Sequence, residues 1–309
     1  MELRQLRYFL GVCEAGSLLK ASARLHVAQP ALGQQMSALE AELGTQLLLR
    51  SRKGVSPTEA GRTFAEHARL VLADVERAAQ AVREAGALPS GSVTIGLPTT
   101  VALGATLPIL AACRERLPQV RLQIVEAYSG FLAEWLQSGR LDVAILFGDK
   151  AENGLDKRAL LDEELVFVTG SSMPALPKRL SLARLARWPL VLPSRGHGLR
   201  RIIDEACEPL GLQLDVVAEI DSLPSVKKAA EAGIGGTILS RVSVAEEIAG
   251  GRLQAARIAS DRMSRRVVCA THLTRPATPA SRAVAALIPE VIQGMVGSKA
   301  WPGRWVGGT

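Results

Sequence analysis

The sequence predicts an α/β protein in two parts: a small helical module with a β-hairpin and a long trailing helix, then a larger region of alternating strands and helices. Three observations predict it. Apolar residues near the start recur at three- and four-residue spacing in three short blocks. A heptad-like apolar stripe follows. Beyond Pro89-Ser90-Gly91 the pattern changes to short apolar runs of strand length separated by helical stretches. With 309 residues, 48% apolar and 22% charged, the chain can bury more than one core.

Leu3, Leu6, Leu10 and Cys13 share helical spacing, and Gly16 stops that helix. Ser17 is suited to cap a second helix that turns Leu18, Ala21 and Leu25 inward. A turn at His26-Val27 leads into a third helix opening at Gln29-Pro30, where a missing N–H costs no intrahelical bond. Leu32, Met36, Leu39 and Leu43 form its stripe, and Gly44 ends it. Two helices joined by a tight turn and braced by a preceding helix make a helix-turn-helix. Its outward face carries Gln29, Gly33, Gln34, Ser37 and Glu40. Leu47 to Arg50, the basic turn Ser51-Arg52-Lys53-Gly54, and Val55 to Pro57 read as a β-hairpin wing, giving a winged helix-turn-helix over residues 1–58.

The chemistry expected of that module is contact with double-stranded DNA. A major groove about 12 Å wide admits one helix, and Gln29, Gln34 and Ser37, beside Pro30, present donors and acceptors to base edges. Arg50, Arg52 and Lys53 on the wing suit phosphates or the minor groove. A solvated surface is the competing reading of each residue. The net charge of +7 fits a polyanionic partner, although solubility charge would look the same. Aromatic residues, at 4%, are too few for a single-strand stacking platform.

Residues 59–89 read as a linker and dimerisation helix, capped by Thr58 and opened by Glu59, roughly 45 Å long at 1.5 Å per residue. Phe64, Ala68, Val71, Val75, Ala78 and Val82 alternate four and three apart, and the other faces are charged. One narrow apolar seam calls for a copy of itself. Dimerisation is therefore expected through Phe64, Val71, Val75 and Val82.

Residues 90–309 alternate predicted strands (93–97, 122–127, 141–147, 165–169, 190–192, 216–220, 237–239, 267–270) with helices (101–116, 131–138, 199–208, 224–232, 281–295). This predicts βαβ units with a parallel sheet. Cys13, Cys113, Cys207 and Cys269 lie far apart among apolar neighbours, so buried thiols are expected rather than disulfides or zinc ligands. His26, His67, His197 and His272 are scattered, with no metalloprotease, nucleophile-elbow, Walker or dinucleotide fingerprint, so no enzyme, metal or cofactor is expected. Gly233-Ile234-Gly235-Gly236 leads into a strand, as a turn does and a phosphate loop does not. Met1-Glu2-Leu3-Arg4 lacks a signal-peptide core, and no run of about 18 apolar residues exists, so a cytoplasmic protein with no membrane contact is expected.

The chain resembles LysR-type transcriptional regulators over nearly all its length. Five stretches in order carry the resemblance: Leu3 to Phe9, Gly16-Ser17-Leu18, Val27 to Leu32, Leu39 to Gly44, and Pro57-Thr58-Glu59-Ala60-Gly61. Gln46 to Arg50 together with Thr58 to Gly61 looks most like the nitrogen-assimilation-control branch. Ala28 and Gly33 stand where serine is common, and Leu48 where phenylalanine is frequent, which puts the base contacts in doubt rather than the DNA-binding role. The resemblance implies a homo-oligomer (dimer or tetramer) controlling transcription in response to a small-molecule effector or to its own abundance, with RNA polymerase as a further partner. It also implies a two-subdomain, periplasmic-binding-protein-like effector domain, subdomain I spanning 90–164 and 268–297 and subdomain II 165–267. Such folds hold ligands at strand carboxyl ends near helix N-termini. Those ends are Thr99 and Thr100, Ser129, Phe147 and Ser222, where helix capping is the alternative role. His197 and Arg200, by a glycine-flanked loop, either face the cleft or serve structure. A transport receptor of similar fold would require export.

Overall fold

The computed structural model describes residues 1–51, 54–83 and 88–308, and the chain divides into two units, Met1–Ala87 and Leu88–Thr309. In the first, α1 (Leu3–Ala15), α2 (Leu18–Leu25) and α3 (Gln29–Leu43) precede a hairpin of β1 (Leu48–Ser51) and β2 (Gly54–Pro57), then α4 (Glu59–Arg83). Gly16 and Gly44 take left-handed conformations that end α1 and α3. His26 does the same at the end of α2, at φ 53° without glycine's freedom. Ser17 caps α2, its Oγ accepting from the Lys20 N–H. The core is Leu6, Phe9, Leu10 and Val12 of α1 packed with Ala21, Leu32, Met36, Leu39, Leu47, Leu48, Ala65 and Ala68. The buried face of α1 is therefore shifted from the expected stripe: Phe9 and Val12 are inside, while Leu3 is exposed and Cys13 half-buried.

The wing is fastened to both neighbours. The Val55 N–H donates to the Gly16 carbonyl at 2.8 Å. Thr58 Oγ1 donates to the Gln46 carbonyl at 2.8 Å and accepts from the Gly61 N–H at 2.9 Å, capping α4. A side chain at 61 would place its Cβ 2.0 Å from the Leu47 carbonyl oxygen, so α4 can lie this close to the wing only with glycine there. Leu88 lies outside the helix, and 84–87 lie outside the described residues.

In the second unit β3 (Gly91–Leu97), α5 (Thr99–Arg116), β4 (Val120–Glu126), α6 (Ser129–Gln137) and β5 (Val143–Phe147) form βαβ units, with β3 parallel to both β4 and β5. Then come β6 (Leu155–Gly170), β7 (Arg179–Leu180), α7 (Leu182–Leu185), β8 (Leu190–Leu192), α8 (Gly198–Cys207), β9 (Val216–Glu219), α9 (Leu223–Glu231), β10 (Thr237–Ser240), α10 (Ala245–Ala249) and β11 (Leu253–Ile258). Finally β12 (Ser264–His272), α11 (Pro279–Gly297) and β13 (Gly303–Trp305) return to the first subdomain.

The sheet is mixed rather than parallel. β12 is inserted antiparallel between β5 and β6, because the returning chain enters from the far subdomain and runs against the outgoing strands. β6 serves both subdomains: residues 155–164 pair with β12, and 165–170 pair with β10 and β11. The return crossing lies before Ser264, ahead of the expected 268, since Ser264 already pairs with Glu164. One core gathers around Phe167, Leu190 and Ile203, and another around Ile95, Ile145, Val267 and Trp301. β7, β11, β13 and the first half of β6 were not expected.

Candidate DNA interface and effector cleft

α3 buries Leu32, Met36 and Leu39 completely, which leaves Gln29, Pro30, Gln34 and Ser37 exposed on the opposite face. Space beside Gly33 is open. Glu40, expected on that face, is turned away: its Oε1 accepts from the Leu47 and Leu48 N–H groups at 2.8 and 2.9 Å and pins the wing to α3. Ala28 occupies the N-cap of α3 with no side-chain acceptor. Arg50 is exposed on β1, whereas Arg52 and Lys53 fall outside the described residues.

Along α4, Phe64 is drawn into its own module, its ring edge-on to Phe9 at 5.1 Å between centroids. Phe64 is therefore already partly covered within its own module. The first turns of α4 cross α1, so the stripe's opening residues meet a core already present. Farther along, Val71 and Val82 are 42% and 78% exposed and Val75 is half-buried, so among the described residues the seam's later part is only partly covered.

In the second unit, side-chain contacts join the starts of four helices. Tyr128, the N-cap of α6, donates from its hydroxyl to the Asp221 carbonyl at 3.1 Å and meets the His197 ring edge-on at 5.4 Å. His197 is the N-cap of α8, its Nδ1 accepting from the Leu199 N–H at 3.1 Å, which places the neutral ring's proton on Nε2. Asp221 directly precedes Ser222, the exposed N-cap of α9, whose side chain makes no capping bond. Ser129, the first residue of α6, accepts from the Phe147 N–H at 3.1 Å. Thr100 at the start of α5 accepts from Arg265 Nη2 at 2.8 Å, and that guanidinium lies 3.6 Å above the centre of the Phe147 ring. Thr99 sits half-buried at the first position of α5.

The structure thus brings Thr100, Ser129, Phe147 and His197 into one contact chain, with Ser222 beside Asp221. Arg200 is elsewhere. Its buried guanidinium bonds to Asp204, Glu219 and the Pro193 carbonyl, a structural role. Burial lowers the His197 pKa, and the positive charge of Arg265 adds to that, against the opposing pull of Asp221. Hydrogen bonds from the Ser194 backbone and hydroxyl hold the Asp221 carboxyl below its ordinary value. Tyr128, Asp221 and Arg265 were missed by sequence reasoning. Tyr128 carries no capping signal, since its side chain makes no cap bond, and Arg265 meets Thr100 and Phe147 only through the antiparallel insertion of β12. Among the described residues no group of three side chains is placed to hold a metal ion, and no helix is long and apolar enough to cross a membrane.

Residues 3–62 match the model of bacterial regulatory helix-turn-helix proteins of the lysR family, and residues 86–293 match the LysR substrate binding domain. The chain belongs to the LysR family. It is 37% identical over 240 residues to the nitrogen assimilation regulatory protein nac of Klebsiella aerogenes, covering 77% of this chain and 78% of that protein. It is 30% identical over 307 residues to the HTH-type transcriptional regulator BbuR of Bordetella bronchiseptica, covering 98% and 92%. Among solved structures, full-length CbnR complexed with its target DNA superposes with a TM-score of 0.73 at 25% identity, covering 95% of this chain and 99% of that one. A Corynebacterium glutamicum OxyR mutant superposes at 0.61 and 28% identity, covering 96% and 94%. As a LysR regulator this protein is a DNA-binding transcription factor with a small-molecule-binding domain, not an enzyme.

Proposed function

We propose that this LysR regulator reads duplex DNA with α3 through Gln29, Gln34 and Ser37, with Pro30 at the entry, while Arg50, Arg52 and Lys53 engage phosphates. The observation that carries this reading is the division of α3 into one fully buried face and one polar, exposed face. Two protomers pair through the partly covered seam around Val71, Val75 and Val82, which sets two recognition helices about one helical turn of DNA, or a multiple, apart. The cleft takes a small anion. Helix N-termini carry about half a positive charge each and present N–H groups, and four of them lie along one chain of contacts here, α5 joining the rest through Arg265 and Phe147. Binding there shifts the DNA-bound assembly only as far as the ligand's affinities for the two states differ. The similarity to nac supports a place in the nitrogen-assimilation-control branch, and a DNA-binding regulator of this kind works in the cytoplasm.

A mobility shift on the DNA upstream of the protein's own gene tests the reading. Specific retention that competitor DNA does not remove is expected. Equal affinity for unrelated duplex of the same length counts against it.

A further inference from the structure

Beside Thr100 and Phe147 lies a buried ion pair that sequence reasoning missed. Arg265 Nε and Glu163 Oε2 are 2.5 Å apart, with side chains only 4% and 1% exposed. Glu163 also accepts from Trp301 Nε1 at 2.8 Å and from the Ser240 hydroxyl, so its carboxylate is engaged on both oxygens. Arg265 is less fully engaged. A guanidinium offers five N–H donors in a fork. Nε goes to Glu163 and Nη2 to Thr100, the flat face rests on Phe147, and among the described residues no partner takes Nη1. Two of those neighbours, Thr100 and Phe147, lie at the strand ends where the cleft is expected, and the charge of Arg265 is felt at His197 on the opposite subdomain.

We propose that Arg265 grips the acid group of the effector, and that Glu163 behind it restricts the site to a singly charged carboxylate. The proposal rests on the reading of this cleft as an anion site and names the ligand class. Glu163 is bonded directly to Arg265, and Asp221 lies near enough to His197 to act on it, while burial favours the neutral form of that ring. A second negative charge on the ligand would therefore face the Glu163 carboxylate across the guanidinium, where the effective dielectric is low. A carboxylate matches the planar fork of the guanidinium and can take a second bond from the Ser129 or Thr100 hydroxyl.

The test uses the full chain and follows its melting temperature at constant ionic strength with acetate, benzoate, succinate and inorganic phosphate as probes. At a mildly alkaline pH, where phosphate as well as succinate is mainly dianionic, acetate or benzoate should raise the melting temperature and the two dianions should not. Glu163→Gln keeps an acceptor for Trp301 and Ser240 but frees Arg265, and should bind the monocarboxylate about tenfold more tightly. The paired Glu163→Gln, Arg265→Gln protein removes both charges together, avoids a lone buried carboxylate, and should melt cooperatively without any response. Preference for succinate or phosphate, or a response retained in the paired variant, overturns the proposal. If that retained response disappears in Ser129→Ala, the cleft reading stands and the role of Arg265 falls. If no probe shifts the unaltered protein, both fall.

Discussion

Ala28 leaves the first turn of α3 without a capping acceptor, at the helix on which DNA reading depends. Ala28→Ser should raise stability by about 1 kcal/mol in denaturant unfolding, since a serine Oγ there can accept from an N–H of the first turn. His197 has the opposite character, a group that works because it is neutral. Its folded pKa is depressed below the ordinary 6.5, mainly by burial, so the unfolded chain takes up a proton more readily than the folded one. Its contribution to stability is present above about pH 6.5 and is lost as the pH falls below it. His197→Asn keeps an N-cap acceptor without the titration and should flatten that part of the stability–pH curve; an unchanged acid slope would refute it. On the DNA face, Gln34→Ala should cost about 1–3 kcal/mol at one base position. Arg52→Ala with Lys53→Ala should weaken binding to all sequences alike and shallow the salt dependence. At this scale the sequence was informative for most side chains on one helix face and misplaced Glu40, whose reach to the Leu47 and Leu48 N–H groups depends on where the wing folds.

The elements of the first unit were legible because each is bounded by local chemistry: Gly16, Ser17, Gly44, and the Thr58–Gly61 cap that only glycine completes. The partner of α4 was not fully legible. A heptad stripe records which residues want burial but not what buries them, and α1 claims Phe64 and Ala68 before any second subunit can. The two halves of the stripe should therefore respond differently to substitution. Phe64→Ala opens space against Phe9 and should destabilise the folded module by about 2–3 kcal/mol, less than a fully buried phenylalanine would. Val71→Glu with Val75→Glu should leave the fold intact and disperse the assembly, lowering the mass measured by light scattering and shortening the footprint. An unchanged mass in the valine pair would count against pairing through α4.

Over the whole molecule, local periodicity found the βαβ units of the second unit and missed the strands that only long-range pairing creates. The first half of β6, with Asp156, Lys157, Arg158, Asp162 and Glu163, looks too polar for a central strand. It forms because β12 and β13 return from more than a hundred residues away to pair with it. That same return sets Arg265 against Glu163 and puts Trp301, beyond the last expected helix, wholly inside the core. Trp301 thus donates to the carboxylate that holds Arg265, and the same carboxylate accepts from the Ser240 hydroxyl on β10. Trp301→Phe preserves most of the buried ring but removes the only nitrogen donor that side chain offers to Glu163. It should cost about 1–3 kcal/mol of stability, the penalty of leaving a buried acceptor short of a partner. Because Glu163 then leans more heavily on Arg265, the variant should also bind a monocarboxylate probe more weakly than the unaltered protein does. Lost stability with unchanged binding would mean that the tail supports the core without tuning the cleft.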